Sequence, residues 1–130
     1  MKKKFTVVIF TDLDGSLLHR ETFQFDTIKD YIKSLVSKGV IIIPNSSKTE
    51  KEIEKFNNEL GLELPYISEN GSSIHGLNLI NVNFPNKIIL SREKEALLKI
   101  FINKVPEHLR NKCFQISKLS KNIQEKIFGQ

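Results

Sequence analysis

The segment Val40-Ile41-Ile42-Ile43 is continuously apolar, with no polar residue on either alternating face, and stands between Gly39 and Pro44. Such a strand must be covered on both sides, as a parallel strand between helix layers is. Its flanks agree. Upstream, Ile28, Tyr31, Ile32, Leu35 and Val36 recur at helical spacing behind Asp26, a residue able to cap, and the pattern stops at Gly39. Downstream, Thr49 and Glu52 have capping-box spacing, Ile53, Phe56 and Leu60 form an apolar face, and Gly61 marks the stop. Phe5-Thr6-Val7-Val8-Ile9-Phe10 reads as a first buried strand and Pro65-Tyr66-Ile67-Ser68 as a short third, with Pro44 ending the ladder of the second. Strand, helix, strand, helix, strand in that order predicts α/β architecture: one right-handed half of a doubly wound parallel sheet.

Beyond Asn70-Gly71 the pattern changes to a predicted hairpin, residues 72–74 against 79–82, turning at Gly76-Leu77-Asn78. From Pro85 a different region begins. A strand is expected near residues 87–90, then a helix with Leu97, Leu98, Ile100 and Phe101 inward, a break at Pro106, and a last short helix containing Ile123 and Ile127. The expected division is therefore residues 1–84, a sheet portion with hairpin, and residues 85–130.

With 130 residues, 39% apolar and 27% charged, the chain supports one modest core. The lone Cys113 rules out an internal disulfide and points to a reducing, cytoplasmic compartment. The run behind Lys2-Lys3-Lys4 is broken by Thr11, Asp12 and Asp14, so neither a secretory nor a transmembrane segment is expected. The formal charge of +5 raises the question of nucleic acid, but the lysines are dispersed among 15 acids, without an arginine stripe or interleaved aromatics. Neither nucleic acid nor membrane is an expected partner.

Chemistry concentrates where the strands end. Asp12-Leu13-Asp14-Gly15-Ser16 delivers two carboxylates and a glycine turn at the end of the first strand, where open α/β sheets keep their sites. This suits phosphoryl transfer: one carboxylate attacks phosphorus, the second gives and takes a proton, and a hard cation neutralises charge. A solvated Asp-Gly turn is the plainer alternative. Residues 45–49 follow the second strand, where the Ser46 hydroxyl and neighbouring backbone donors can hold a phosphate oxygen and Lys48 adds charge near a helix start. Thr49 reads as a cap alone. Glu69-Asn70-Gly71 follows the third strand as a turn that wants Asn or Gly at positive φ.

Phe10-Thr11-Asp12-Leu13-Asp14-Gly15-Ser16-Leu17-Leu18, Ile43-Pro44-Asn45-Ser46-Ser47-Lys48-Thr49, Leu60-Gly61-Leu62-Glu63 and Ile67-Ser68-Glu69-Asn70-Gly71 together resemble the N-terminal part of a haloacid dehalogenase superfamily phosphatase, of cap subclass IIB. The likeness runs from about residue 5 to residue 75. It implies an incomplete Rossmann-like core followed by the beginning of an α+β cap, and Mg2+-dependent hydrolysis of a phosphorylated sugar. By the resemblance Asp12 would be the nucleophile and Asp14 the acid and base. Asp12 and the Asp14 carbonyl would hold Mg2+, and Ser46, Ser47, Lys48 and Asn70 would bind phosphate or substrate.

Three departures qualify this. Ser16 stands where threonine is commoner and keeps the hydroxyl; Asn45 stands where small or apolar residues are usual. The family continues well past this length, and no counterpart of its later phosphate-binding lysine or its Gly-Asp pair is found here. A noncatalytic remnant retaining a phosphate-binding half-site is the rival expectation. A receiver-like phosphoacceptor fits less well, because its aspartate belongs on the third strand, which here ends Ile67-Ser68-Glu69. An apolar first strand lacking a neighbour on one side also predicts self-association or aggregation through that edge.

Overall fold

The structure is a computed structural model in which residues 7–128 are described. Two strands open it: β1, Val8–Thr11, and β2, Ile41–Pro44, paired in parallel from Val8↔Ile41 to Thr11↔Pro44. Phe5 and Thr6, expected to start the first strand, lie outside the described residues. Pro44 ends the β2 ladder as expected, as its last paired residue, and Asn45 N–H reaches the Thr11 carbonyl at 2.8 Å, supplying the hydrogen bond that proline cannot donate.

Helix α1, Asp26–Ser37, links the two strands. Asp26 is its first residue and not its cap; Phe25 holds that position without a side-chain bond, and the acid favours the positive end of the helix dipole. Ile32 is buried and Ile28, Leu35 and Val36 pack beside it, whereas Tyr31 points outward, 66% exposed. Helix α2, Glu50–Leu60, has the expected capping box, in which the Glu52 carboxylate accepts the Thr49 N–H at 2.8 Å and its hydroxyl at 2.7 Å. Ile53, Phe56 and Leu60 are buried and Gly61 closes the helix in the left-handed region.

β3, Tyr66–Ser68, joins the open side of β2 by one parallel bridge, Asn45↔Ile67. It then pairs antiparallel with β4, Ser73–His75, which pairs antiparallel with β5, Lys87–Ile89. The expected hairpin of residues 72–74 with 79–82 is therefore corrected: the partners of β4 are β3 and β5. Leu77–Leu79 forms a 3-10 turn instead of the tip of a two-strand loop, and Val82 is 87% exposed. The cause is local. Gly76 sits at φ 71 with its missing Cβ only 3.0 Å from Pro65 Cα, and its N–H bonds the Asn86 carbonyl, setting residue 87 in register with residue 75.

The core lies under β2, where Leu13, Phe25, Ile32, Ile42, Ile53 and Phe56 meet, with the Phe25 and Phe56 rings 4.9 Å apart. β2 is buried at all four positions, while Val8, Ile9 and Phe10 of β1 are exposed, Phe10 at 62%. Among the described residues β1 has β2 as its only strand neighbour.

The chain divides after Ser91 into two compact units, so β5 belongs by pairing with the first. The second contains α3, Lys94–Lys104; α4, Glu107–Arg110; a 3-10 turn, Ile116–Lys118; and α5, Lys121–Phe128. Leu97, Ile100 and Phe101 of α3, expected inward, are exposed, and only Leu98 is half-buried. Apolar residues encircle this helix instead of forming one stripe, and a unit so small cannot enclose them all. Among the described residues no helix is long and apolar enough to cross a membrane.

Candidate active site

Leu13 fixes the first loop. Its side chain is fully buried, so the two acids beside it in sequence are carried at the surface of the core, Asp12 exposed and Asp14 half-buried. The Leu13 carbonyl accepts the N–H groups of Ser16 and Leu18, and Gly15, at φ 78, gives its N–H to the Leu18 carbonyl, which closes the loop tightly. Leu13 N–H donates to Asp12 Oδ1 at 2.7 Å, orienting that carboxylate and leaving its second oxygen without a bond to the described residues.

The second and third loops are tied to each other by main-chain bonds. Ser46 N–H reaches the Ile67 carbonyl at 3.1 Å, Asn70 N–H the Ser46 carbonyl at 3.1 Å, and Glu69 N–H the Lys48 carbonyl at 2.9 Å. These bonds hold Glu69 and Asn70 at φ 51 and 56, with Gly71 at 91, so the turn expected there has three successive residues in the left-handed region. Ser46 is buried, and its Oγ accepts the Lys48 N–H at 3.2 Å, which leaves the hydroxyl proton available to a ligand.

Asp12, Asn45, Ser46, Ser47 and Asn70 line one cavity of about 370 Å³. Four of the residues read from the sequence as site candidates thus share one space, and Asn45, noted there only as a departure, joins them. Lys48 and Asp14 do not line it. They face each other: Lys48 Nζ lies 3.1 Å from Asp14 Oδ1, an ion pair by distance, although that buried oxygen makes no hydrogen bond with proper geometry. The ammonium also lies 4.9 Å from the centre of the Phe23 ring. Phe23 escaped the sequence reading, because a phenylalanine at φ 56 in a loop has no signature in spacing or composition.

Among the described residues no three acidic, histidine or cysteine side chains gather to hold a metal ion. The donor set still suits Mg2+, which keeps several waters and takes few protein oxygens: the Asp12 carboxylate and the Asp14 carbonyl, to which no bond from the described residues is directed.

Behind these loops α2 is fastened to β4 and β5. His75, 5% exposed, stacks on Tyr66 with centroids 4.5 Å apart, places Nε2 2.8 Å from Ser73 Oγ, and places Nδ1 3.4 Å from Glu50 Oε1. Lys87 Nζ reaches Glu50 Oε2 at 2.7 Å. That hydrogen bond holds the Glu50 carboxyl below its usual range against the opposing effect of burial, and burial holds the His75 ring below its usual value although Glu50 opposes it. Burial, with Glu54 and Glu50 nearby, pushes the Tyr66 phenol up to about 12.

The fold has relatives among solved structures. A haloacid dehalogenase-like hydrolase from Bacillus subtilis superposes with a TM-score of 0.54 at 19% identity, over 74% of this chain and 32% of that one. Over 68 residues the chain is 43% identical to glucosyl-3-phosphoglycerate/mannosyl-3-phosphoglycerate phosphatase of Persephonella marina, covering 52% of the chain and 25% of the relative. Over 67 residues it is 45% identical to mannosyl-3-phosphoglycerate phosphatase of Pyrococcus horikoshii, covering 52% and 27%. The chain thus matches about a quarter of the length of these relatives. A family model described as haloacid dehalogenase-like hydrolase matches residues 9–103, which take in all three loops and the strands that carry them, and the chain belongs to that family.

Proposed function

We propose that the chain carries the nucleophile and phosphate-binding half of a Mg2+-dependent phosphomonoester hydrolase acting on a phosphorylated sugar derivative, with mannosyl-3-phosphoglycerate the leading substrate. One observation carries this reading: the exposed Asp12 carboxylate shares a cavity with the Ser46 hydroxyl, Ser47 and Asn70. The names of the two relatives support the substrate.

An Asp12 oxygen attacks phosphorus, the bond from phosphorus to the ester oxygen breaks (O3 of the glycerate unit in mannosyl-3-phosphoglycerate), and the proton of the Asp14 carboxylic acid goes to that oxygen, which leaves as the alcohol. Asp14 then takes a proton from the water that attacks the aspartyl-phosphate, and Asp12 is released with inorganic phosphate. A carboxylate is a weak nucleophile, so positioning and charge neutralisation supply most of the barrier lowering. Ser46 donates to a phosphate oxygen; Ser47, Lys48 and Asn70 contact the substrate. Bound at Asp12 and the Asp14 carbonyl, Mg2+ would supply positive charge against the phosphoryl oxygens.

The region from residue 85 onward is read as the beginning of a cap, and the reaction as cytoplasmic. The exposed β1 edge supports a self-associating chain. The test is phosphate release from mannosyl-3-phosphoglycerate, its glucosyl counterpart and a generic phosphomonoester, with and without Mg2+. The expected result is Mg2+-dependent release that Asp12→Asn abolishes; unchanged release in that variant overturns the assignment. A second reading, a noncatalytic phosphate-binding remnant, draws on the absence of a three-ligand metal cluster among the described residues. Saturable binding of inorganic phosphate with no turnover favours it.

A further inference from the structure

We infer that Phe23 is a positioning residue of this site: its ring, carried on a left-handed backbone, holds the Lys48 ammonium against Asp14. The inference rests on the proposed reading of Lys48 as a phosphate-site cation.

Lys48 is constrained along its whole length. Its N–H bonds Ser46 Oγ, its carbonyl accepts Glu69 N–H, and its side chain is only 14% exposed. An ammonium so shielded needs partners, and those shown by the structure are the Asp14 carboxylate at 3.1 Å and the Phe23 ring at 4.9 Å. Because the Asp14 contact lacks hydrogen-bond geometry, it does not by itself fix a flexible four-carbon stem. The ring supplies the missing restraint.

The backbone of Phe23 indicates that this placement is enforced. At φ 56 a phenylalanine is strained, and such residues persist where their surroundings over-determine them and cluster at functional sites. Main-chain and histidine bonds supply those surroundings. Phe23 N–H bonds the His19 carbonyl at 2.9 Å, His19 N–H bonds the Gln24 carbonyl at 2.9 Å, and His19 Nδ1 accepts the N–H groups of Glu21 and Thr22. The turn is closed on itself and presents the ring. With 46% of its surface exposed, Phe23 is not held there by core packing.

The test compares Phe23→Leu, which keeps apolar bulk, Phe23→Tyr, which keeps the ring, and Phe23→Gly, which relieves the backbone. The readouts are the chemical shifts of the Lys48 ε-methylene, moved upfield by a ring above it, and the affinity of the full chain for inorganic phosphate. The shift should relax to its unstructured value in the leucine and glycine variants and persist in tyrosine. Phosphate binding should weaken about five- to tenfold without the ring, and the tyrosine variant should restore it. Phe23→Gly should unfold no lower than the parent chain while binding phosphate less well, a combination that a purely structural phenylalanine does not give. An unmoved Lys48 resonance in Phe23→Leu, or unchanged phosphate affinity despite a moved resonance, overturns the inference. If the parent chain binds no phosphate, the phosphate-site reading falls, and the Lys48 resonance still decides whether the ring holds the ammonium. If Phe23→Leu fails to fold, the tyrosine and glycine variants carry the comparison.

Discussion

At the scale of single residues the site depends on a side chain with no chemistry of its own. Leu13 is fully buried between two acids that must face outward, so the burial of one leucine aims both carboxylates. Leu13→Ala should lower stability by about 2–5 kcal/mol, the cost of lost burial plus cavity, and should reduce phosphate release more than an equally destabilising Ile53→Ala does. Chemical denaturation beside a phosphate assay checks this; equal losses of activity at equal stability would show that Leu13 merely fills space. That Asp12, Ser46 and Asn70 come to one cavity was legible, because their loops follow apolar runs whose strands end at the same edge of the sheet; their roles are proposals. Phe23 was not legible. Its position depends on a turn closed by main-chain bonds and on an aromatic in a conformation that local sequence disfavours.

At the scale of elements, patterning succeeded where one residue set dominated and failed where competing groups were near. Thr49, Glu52 and Gly61 bounded α2 because caps are local. The hairpin at Gly76 failed because Pro65 and Asn86, distant in sequence, redirect the chain. The buried link of α2 to β4 and β5 has a pH consequence. His75 titrates below its ordinary 6.5, chiefly through burial, with Lys87 adding to the effect and Glu50, Glu54 and Glu69 opposing it. Protons therefore bind the unfolded chain first, and stability is full above about pH 6.5 and falls as pH drops through the lower folded value. Glu50, lowered from 4.5 by Lys87, adds a loss in the same direction at more acid pH. The unfolding temperature should be flat from neutrality to about pH 9, below the Tyr66 window, and decline below neutrality, and His75→Gln should remove the first part of that decline. A profile unchanged in the variant would assign the decline to other groups.

At the scale of the whole molecule, β1 is the exception to the pattern that named it. Its apolar run reads as a buried strand, yet Val8, Ile9 and Phe10 are exposed while β2 is buried throughout. An apolar parallel strand with one edge unpaired among the described residues favours pairing with other chains. Light scattering across a dilution series should show mass rising with concentration, and Phe10→Lys should suppress the rise. A monodisperse monomer at every concentration would contradict this. The family was legible from three loop motifs; the irregular distribution of exposed apolar residues in the second unit was not, since burial depends on neighbours that periodicity cannot see. In the proposed reaction Asp12 forms a covalent bond to phosphorus. The most direct measurement is acid quench during turnover with mannosyl-3-phosphoglycerate and Mg2+, borohydride reduction, and peptide mass spectrometry of the segment containing Asp12 and Asp14. Reduction is expected at position 12 alone and none in Asp12→Asn; phosphate release with Asp12 unmodified, or modification at Asp14, would overturn the assignment of Asp12 as nucleophile.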